Sequence, residues 1–241
     1  MEKEFNITGS CNPQIHYMAD VSSKVDEIYT MVKKGKYFTI NRPHQYGKTT
    51  IQSFLAKKIN SSDDAIALKI SFESIDYEIY QTKSRFINAF LKRFIESFEI
   101  SSNEEYATFI SNNLNGIDTF DSLSNFIGEL IKKATKKIVL IIDEVDRSSN
   151  NQLFLDFLAM LRSRFLRRNE DIDFPTFHSV VLSGIHDVKT LKYRIDPKAT
   201  LKYNSPWNIA VDFTIDLSLQ PGEIKSMLDD NAGEKETQFD S

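Results

Sequence analysis

The chain has 241 residues, of which 41% are hydrophobic and 27% are charged, and its formal net charge is −4. A chain of this length and composition can bury a full hydrophobic core and belongs to the globular class. The negative net charge argues against a protein that binds nucleic acid through an overall basic surface. The single cysteine, Cys11, excludes an internal disulfide. The longest apolar runs are too short to cross a bilayer.

The N-terminal residues show no basic flank that leads into an apolar stretch, so the sequence predicts no secretory signal. A lone thiol also fits a reducing compartment. We therefore expect a cytoplasmic protein with no membrane partner.

Hydrophobic periodicity predicts helices that alternate with strands along most of the chain. Residues 1–20 lack such periodicity and are expected to form an N-terminal arm. Helices are predicted over residues 21–32, 48–59, 83–98, 104–114, 120–133, 152–167 and 221–228. Strands are predicted over residues 37–40, 65–72, 138–142, 179–183 and 209–217.

This order of elements specifies one α/β core domain over residues 21–229, with right-handed crossovers between parallel strands. The strand at 138–142 is almost wholly apolar, as expected inside a parallel sheet that helices cover on both faces. Phenylalanines at helical spacing within 83–98 are expected to lie in the core rather than to stack on bases. The polar residues 230–241 are expected to form a disordered tail.

The first motif lies between the strand at 37–40 and the helix at 48–59, where the chain reads Gly47-Lys48-Thr49. Backbone N–H groups, an ammonium and a helix N-terminus can converge there on a polyphosphate. Gly47 would admit the backbone to the phosphate, the Lys48 ammonium would bridge the β- and γ-phosphates, and the Thr49 hydroxyl would ligate Mg²⁺.

The usual P-loop pattern has a glycine five residues before Gly47, where this chain has Arg42. His44 is either drawn to phosphate or a solvent-exposed bystander, and Thr50 either donates to the α-phosphate or is only a first-turn residue. The other candidate phosphate-binding residues of the loop are Arg42, Pro43, Gln45 and Tyr46.

The second motif is the acidic pair Asp143-Glu144 at the end of the apolar strand 138–142. Ligands of open α/β sheets bind at the carboxyl ends of the strands. Asp143 would hold Mg²⁺ through water, and Glu144, which points the other way, would polarise the attacking water. The alternative is a buried strand that ends in a polar turn.

With both motifs located, the chain resembles the AAA-like ATPases of bacteria, a P-loop branch close to the signal-transducing ATPases called STAND proteins. The likeness is carried by the segments 16–20, 41–49, 141–146, 177–184 and 203–210. It implies a P-loop NTPase-like parallel sheet of about five strands with helices on both faces. In these relatives an Arg-Pro pair commonly opens the loop, which Arg42 and Pro43 match.

The resemblance also implies roles for three residues outside the two motifs. Ser183 would occupy the position that senses the γ-phosphate, and the arm at His16 and Tyr17 would lie near the adenine. For His16 and Tyr17 the alternative is simple packing of the arm against the core. Relatives usually continue into a helical lid beyond the last predicted helix, so we expect this chain to stop before the lid and to turn over slowly.

The function that these features predict is that of an ATP-binding, Mg²⁺-dependent ATPase that acts as a molecular switch. One alternative is a non-catalytic, nucleotide-gated module whose partner, a protein effector or a second copy, completes the site. Another is a DNA-associated ATPase that uses the arginines at 162, 164, 167 and 168. Those arginines also fit a solvated helix end or a subunit interface.

Overall fold

The computed structural model describes residues 3–6, 9–42, 47–72, 76–149, 151–184 and 207–239. The helices of this part of the chain are α1 (Ser22–Lys33), α2 (Lys48–Asn60), α3 (Lys83–Ile100), α4 (Glu104–Asn112), α5 (Phe120–Lys133), α6 (Gln152–Glu170) and α7 (Pro221–Phe239). The strands are β1 (Tyr37–Asn41), β2 (Ala65–Ser71), β3 (Lys137–Asp143) and β4 (Ser179–Gly184). Two 3₁₀ turns lie at Tyr77–Gln81 and Val145–Arg147. No described helix is both long enough and apolar enough to pass through a bilayer.

The strands form one parallel sheet in the order β1-β4-β3-β2. In this register Ile40 lies opposite Ser183, and Ser71 lies opposite Asp143. Parallel strands end at a common edge, so the ends of β1, β2, β3 and β4 place Asn41, Ser71, Asp143 and Ser183 along one side of the sheet. This edge is the carboxyl edge that the sequence predicted as the ligand side.

Helices cover both faces of the sheet, which confirms the predicted fold class. On one face, α1 and α2 pack against alternate strand residues in a core that includes Ile28, Ile51, Leu55, Val139 and Val181. On the other face, α3, α4, α5 and α6 enclose a larger core that is rich in phenylalanine. Its rings lie close together, with the centroids of Phe90 and Phe157 4.9 Å apart. The aromatic residues of α3 therefore pack in the core, as predicted.

The predicted fifth strand at 209–217 does not form a ladder in the described part of the chain. Only Val211 bridges to the sheet, where its N–H donates to the Tyr37 carbonyl at 2.9 Å beside the outer edge of β1. Further on, the Arg42 guanidinium donates to the Ile215 carbonyl at 2.9 Å and lies over the Phe213 ring. A side-chain contact rather than a ladder bond is thus what holds this segment at Ile215, and the sheet of the described residues has four strands rather than about five.

Helix α7 is longer than the sequence predicted, because it continues past residue 228 to Phe239. The disorder of residues 230–241 stays a prediction, although α7 runs through the first part of this segment. The segment contains no proline to end the helix, and half of residues 230–239 are the helix formers Glu, Lys, Ala and Gln. The start of α7 is tied to α1 by an ion pair between Glu223 and the buried Lys24.

Two of the four arginines near the end of α6, Arg164 and Arg168, are not part of a solvated helix end. Arg164 is buried and donates to the Ser124 hydroxyl at 2.8 Å and to the carbonyl of Pro175. Arg168 donates to the carbonyls of Phe177, His178 and Gly35 at 2.9, 2.7 and 2.9 Å. The carbonyls of the chain that leads into β4 therefore accept from these two arginines, and the Phe177 carbonyl also accepts from the Tyr37 hydroxyl at 3.0 Å. Burial lowers the pKa of Arg164 to about 10.

We predict that Arg164→Ala destabilises the protein by about 2–4 kcal/mol, because it leaves buried carbonyl groups without donors. Urea unfolding measures this change. The matched control is Arg162→Ala, which removes one exposed hydrogen bond to Asn208 and should change the free energy of unfolding by less than about 1 kcal/mol. Equal effects of the two substitutions would contradict the structural role of Arg164.

Candidate functional site

The helix that carries the first motif begins at the carboxyl edge of the sheet. Gly47 caps α2 in the left-handed conformation, with φ +67°, and its carbonyl accepts from the Ile51 N–H at 2.9 Å. A Cβ on Gly47 would meet no atom within 4 Å. The backbone conformation, rather than crowding in this structure, therefore favours glycine here. Pro43, His44, Gln45 and Tyr46 lie outside the described residues.

Lys48 is buried, with an exposed fraction of 6%, although it is charged. Its ammonium donates to the Arg42 carbonyl at 2.6 Å, so the charge lies beside the residue that follows β1. The side chain of Arg42 points to a different region, since its guanidinium contacts Ile215 and Phe213. The Arg42 N–H donates to the Gly184 carbonyl at 3.2 Å. Arg42 thus connects the end of β1 to β4 through its backbone and to residues 213–215 through its guanidinium.

Asp143 connects the helix of the first motif to the strand of the second motif through hydrogen bonds. The Gln52 side-chain N–H₂, one helical turn after Lys48, donates to Asp143 Oδ1 at 3.0 Å. The Glu144 backbone N–H donates to the same oxygen at 3.0 Å. The other oxygen, Oδ2, receives no hydrogen bond from a described residue. The first turns of α2 therefore lie directly over the acidic end of β3, as the sequence predicted.

Glu144 lies in an unusual backbone conformation, with φ +55° and ψ +42°. The left-handed region costs an L-residue about 1–2 kcal/mol, so strain is concentrated at this position. The residue is half-buried and separates β3 from the 3₁₀ turn Val145–Arg147. This turn directs the chain away from the sheet immediately after the two carboxylates.

Ser183 and Gly184 end the central strand β4 beside the carboxylates. Ser183 is fully buried, and its hydroxyl has no hydrogen-bond partner among the residues that the structure describes. It lies on the same face of the sheet as Asp143. A Cβ on Gly184 would come within 2.5 Å of the Asp146 carboxylate and 2.9 Å of Val145. Gly184 therefore allows the turn after Glu144 to pack closely, a role that only the folded structure reveals.

Thr49, at the start of α2, and Lys69, on the outer strand β2, lie near the same carboxyl edge of the sheet. The Lys69 ammonium, on β2, lies 3.2 Å from the Ser53 hydroxyl and 3.5 Å from the Thr49 carbonyl. Burial lowers the pKa of Lys69, and the nearby charge of Asp143 partly offsets that shift. We did not predict a role for Lys69 or Gln52. The sequence carried a signal for each residue. Lys69 interrupts an apolar strand, and Gln52 lies one turn after Lys48, on the side of the helix that continues with the apolar residues Leu55 and Ile59.

The N-terminal arm reaches the same end of α2. The Cys11 N–H donates to the Thr50 hydroxyl at 3.0 Å. His16 Nδ1 accepts from the Asn12 N–H at 3.0 Å, so this ring stabilises the arm itself. Tyr17 is buried against Phe5, with ring centroids 5.0 Å apart. Packing of the arm, which the sequence left as an alternative, therefore accounts for the observed contacts of both residues.

A cavity of about 480 Å³ lies between this arm and α2. Its wall is mainly apolar and includes Tyr17, Met18, Ala19, Ile51, Leu217, Leu219 and Met227. Gly47 and Thr50 form its boundary toward the first motif. An apolar cavity therefore opens directly beside the residues that were predicted to bind phosphate. His16 does not line it.

Comparison with known proteins gives one family match. A profile of the AAA-like domain matches residues 12–195, which is more than half of the chain. No curated protein matches the chain significantly in sequence. The relation to STAND proteins and a bacterial origin remain predictions.

Among solved structures, the Aeropyrum pernix ORC2 protein in ADPNP–ADP complexes matches with a TM-score of 0.46 and 13% identity, over 71% of this chain and 43% of that one. The Aeropyrum pernix ORC1 protein in complex with DNA matches with a TM-score of 0.49 and 11% identity, over 90% and 50%. The chain spans half or less of the length of these proteins. At these scores the likeness supports no inference about function.

We predict that Glu144→Gly stabilises the protein by about 0.5–1 kcal/mol, because the relief of left-handed strain exceeds the extra chain entropy of glycine. Ser102 is the matched control, since it is the other non-glycine residue with positive φ in the described chain, at 57°. Ser102→Gly should give a similar gain in urea unfolding. A loss of stability in Glu144→Gly alone would mean that the glutamate side chain makes a compensating contact.

Proposed function

Because the chain belongs to the AAA-like domain family, we propose that it binds ATP with Mg²⁺ at the carboxyl edge of the sheet and hydrolyses it slowly, as a molecular switch. The observation that carries this proposal is the 3.0 Å hydrogen bond from Gln52 to Asp143. It keeps the turn that bears Lys48 beside the acidic end of β3. This contact supports the proposal, because it joins the helix that bears Lys48 to the strand end that bears Asp143.

In this proposal the phosphates bind at the start of α2. The N–H groups of the first turn and the positive end of the helix dipole would attract them. The Lys48 ammonium exchanges the Arg42 carbonyl for the β- and γ-phosphates, and Gly47 admits the backbone. We also keep Pro43, His44, Gln45 and Tyr46, which lie outside the described residues, as candidate phosphate contacts. Thr50, whose oxygen accepts from Cys11, still has its hydroxyl proton for the α-phosphate.

The residues present fit a magnesium ion that the nucleotide brings with it. No group of three or more His, Cys, Asp or Glu side chains that could hold a metal occurs in the described residues. Mg²⁺ bound to a nucleotide needs only one or two carboxylates or hydroxyls besides phosphates and water. The Thr49 hydroxyl and Asp143 Oδ2 would supply these contacts. The ion, when bound, would neutralise charge on the phosphates.

We assign the remaining roles around the γ-phosphate and the base. Glu144 follows the metal-binding carboxylate directly and would orient and deprotonate the attacking water. The buried, unpartnered hydroxyl of Ser183 would respond to the γ-phosphate. The cavity beside Gly47 and Thr50 is apolar enough for a nucleobase, with Tyr17 in its wall.

A second candidate function is a nucleotide-gated module that binds a protein effector or a second copy of the chain. Exposed apolar side chains near the cavity favour it: Leu219, Ile224 and Leu228 are 47%, 39% and 52% exposed. Leu219 lines the cavity as well, so a bound base could alter this surface. A chain that binds ATP but releases no phosphate until a partner is added would favour this function over the switch ATPase.

The structure gives less support to a DNA-associated ATPase. Two of the four arginines that suggested it, Arg164 and Arg168, are committed to carbonyl groups of the fold. The other two lie at the surface, where Arg162 contacts Asn208 and Arg167 lies over the Phe174 ring.

Replacement of the loop lysine tests nucleotide binding. We expect Lys48→Ala to weaken ATP binding by at least about 100-fold, because two charge-assisted hydrogen bonds of about 1.5–3 kcal/mol each are lost. Isothermal titration with ATP and Mg²⁺ measures the change. Lys57→Ala, at an exposed position of the same helix, should bind as tightly as the wild type. Unchanged binding in Lys48→Ala would reject the site.

Replacement of the proposed base tests hydrolysis. Glu144→Gln keeps the size of the side chain but removes its basicity, so phosphate release should fall by about 10²–10⁴-fold while the Kd for ATP stays within a few fold. Phosphate release under single-turnover conditions measures the chemical step. If the variant turns over at the wild-type rate, Glu144 is not the base.

A further inference from the structure

Gln52 is a fully buried polar residue of α2, on a buried helix face that begins with Lys48 and Thr50 and becomes apolar beyond Gln52. It has no measurable exposure, and its neighbours on the buried side of α2 include Ile51, Leu55 and Ile59. Its amide nitrogen donates to Asp143, whereas its carbonyl oxygen Oε1 has no partner among the described residues. A buried amide with an unpaired oxygen costs about 1–3 kcal/mol, and an apolar side chain would avoid that cost. Packing alone therefore does not explain a glutamine here.

The contact of Gln52 determines which oxygen of Asp143 is available. Oδ1 accepts two hydrogen bonds, one from the Gln52 amide and one from the Glu144 N–H. Oδ2 receives none from the described residues. Two donors on one oxygen oppose rotation of the carboxylate and leave Oδ2 available for an additional ligand.

Lys69 is the nearby group that competes for Asp143. It lies on β2, the strand next to β3, and on the same face of the sheet, since the register pairs Lys69 with Ile141 and Ser71 with Asp143. Its ammonium now contacts the Ser53 hydroxyl and the Thr49 carbonyl. A carboxylate without a fixed orientation could swing toward this desolvated cation. The resulting ion pair would neutralise the charge that a metal ion needs.

We propose that Gln52 is a positioning residue for the divalent cation that accompanies the nucleotide. Its amide N–H₂ holds Asp143 away from Lys69 with Oδ2 available to the cation. Its buried Oε1 accepts a hydrogen bond from a water in the hydration shell of that cation. This inference rests on the proposed function, because it assumes a nucleotide–metal complex at Asp143. It adds a residue that determines how much Mg²⁺ the site requires.

The test compares the Mg²⁺ requirement of nucleotide binding in the full-length wild type and in Gln52→Met, which retains an unbranched side chain of similar length. A fluorescent ATP analogue at fixed concentration is titrated with Mg²⁺, and its binding is also measured in EDTA. We expect the half-saturating Mg²⁺ concentration to rise by about 10-fold, as is typical when a group that orients a metal ligand is lost. Binding in EDTA should be unchanged, and the Tm should equal or exceed the wild-type value.

The matched control is Gln152→Met on α6. Gln152 is exposed, and its amide donates to the Asp156 carboxylate at 2.8 Å, so the same type of contact is removed far from the site. Its Mg²⁺ requirement should equal that of the wild type. In a Lys69→Met background, Gln52→Met should raise the requirement less, because the competing ammonium is gone. An equal rise there would overturn the role of Lys69 in the proposal.

Each remaining outcome is decisive. An unchanged Mg²⁺ requirement in Gln52→Met overturns the inference while the proposed function stands. An equal loss of binding in EDTA also overturns it, since Gln52 would then only support α2. If the wild type binds no nucleotide under either condition, the proposed function and the inference fail together. Gln52→Leu serves as a second variant in case Gln52→Met does not fold.

Discussion

One hydrogen bond connects the two ends of the candidate site. Gln52 on α2 reaches Asp143 on β3 although β4 lies between β3 and the strand that leads into α2. Because both groups are buried, this bond is made in a low-dielectric interior where an unpaired carboxylate would be costly. The position of the first turn of α2, and with it that of Lys48, therefore depends on a contact with the acidic strand end.

Several polar and strained features of the described chain lie at the same edge of the sheet. Glu144 adopts a left-handed conformation, Ser183 has a buried hydroxyl without a partner, and Lys69 is a desolvated cation. The rest of the domain can support them, because apolar residues fill both faces of the sheet. Such a concentration of unfavourable groups is typical of functional sites.

The arginines of α6 show how a charged cluster acquires a structural role. Arg164 and Arg168 satisfy carbonyls of the segment that leads into β4 and of the turn at Gly35. They help to fix the start of the strand that ends at Ser183. In sequence these residues look like a surface patch, because the carbonyls that they bind belong to distant segments.

Local pattern was enough to predict most of the elements and the two motifs. The helices and the four strands begin within a residue or two of their predicted positions, because apolar spacing and turn residues act over a few neighbours. That the ends of β1 and β3 would meet at one edge also followed from the strand–helix alternation. Residues 209–217 were predicted as a strand because their apolar spacing fits one, but in the structure the Arg42 guanidinium binds the Ile215 carbonyl.

The roles of Gln52, Lys69 and Gly184 were decided only in three dimensions, since each depends on an atom of another element. These atoms belong to the Asp143 carboxylate, the Thr49 carbonyl and the Asp146 side chain. Sequence patterns record which residues prefer burial or a turn, whereas such contacts arise only when the strands have been ordered into a sheet.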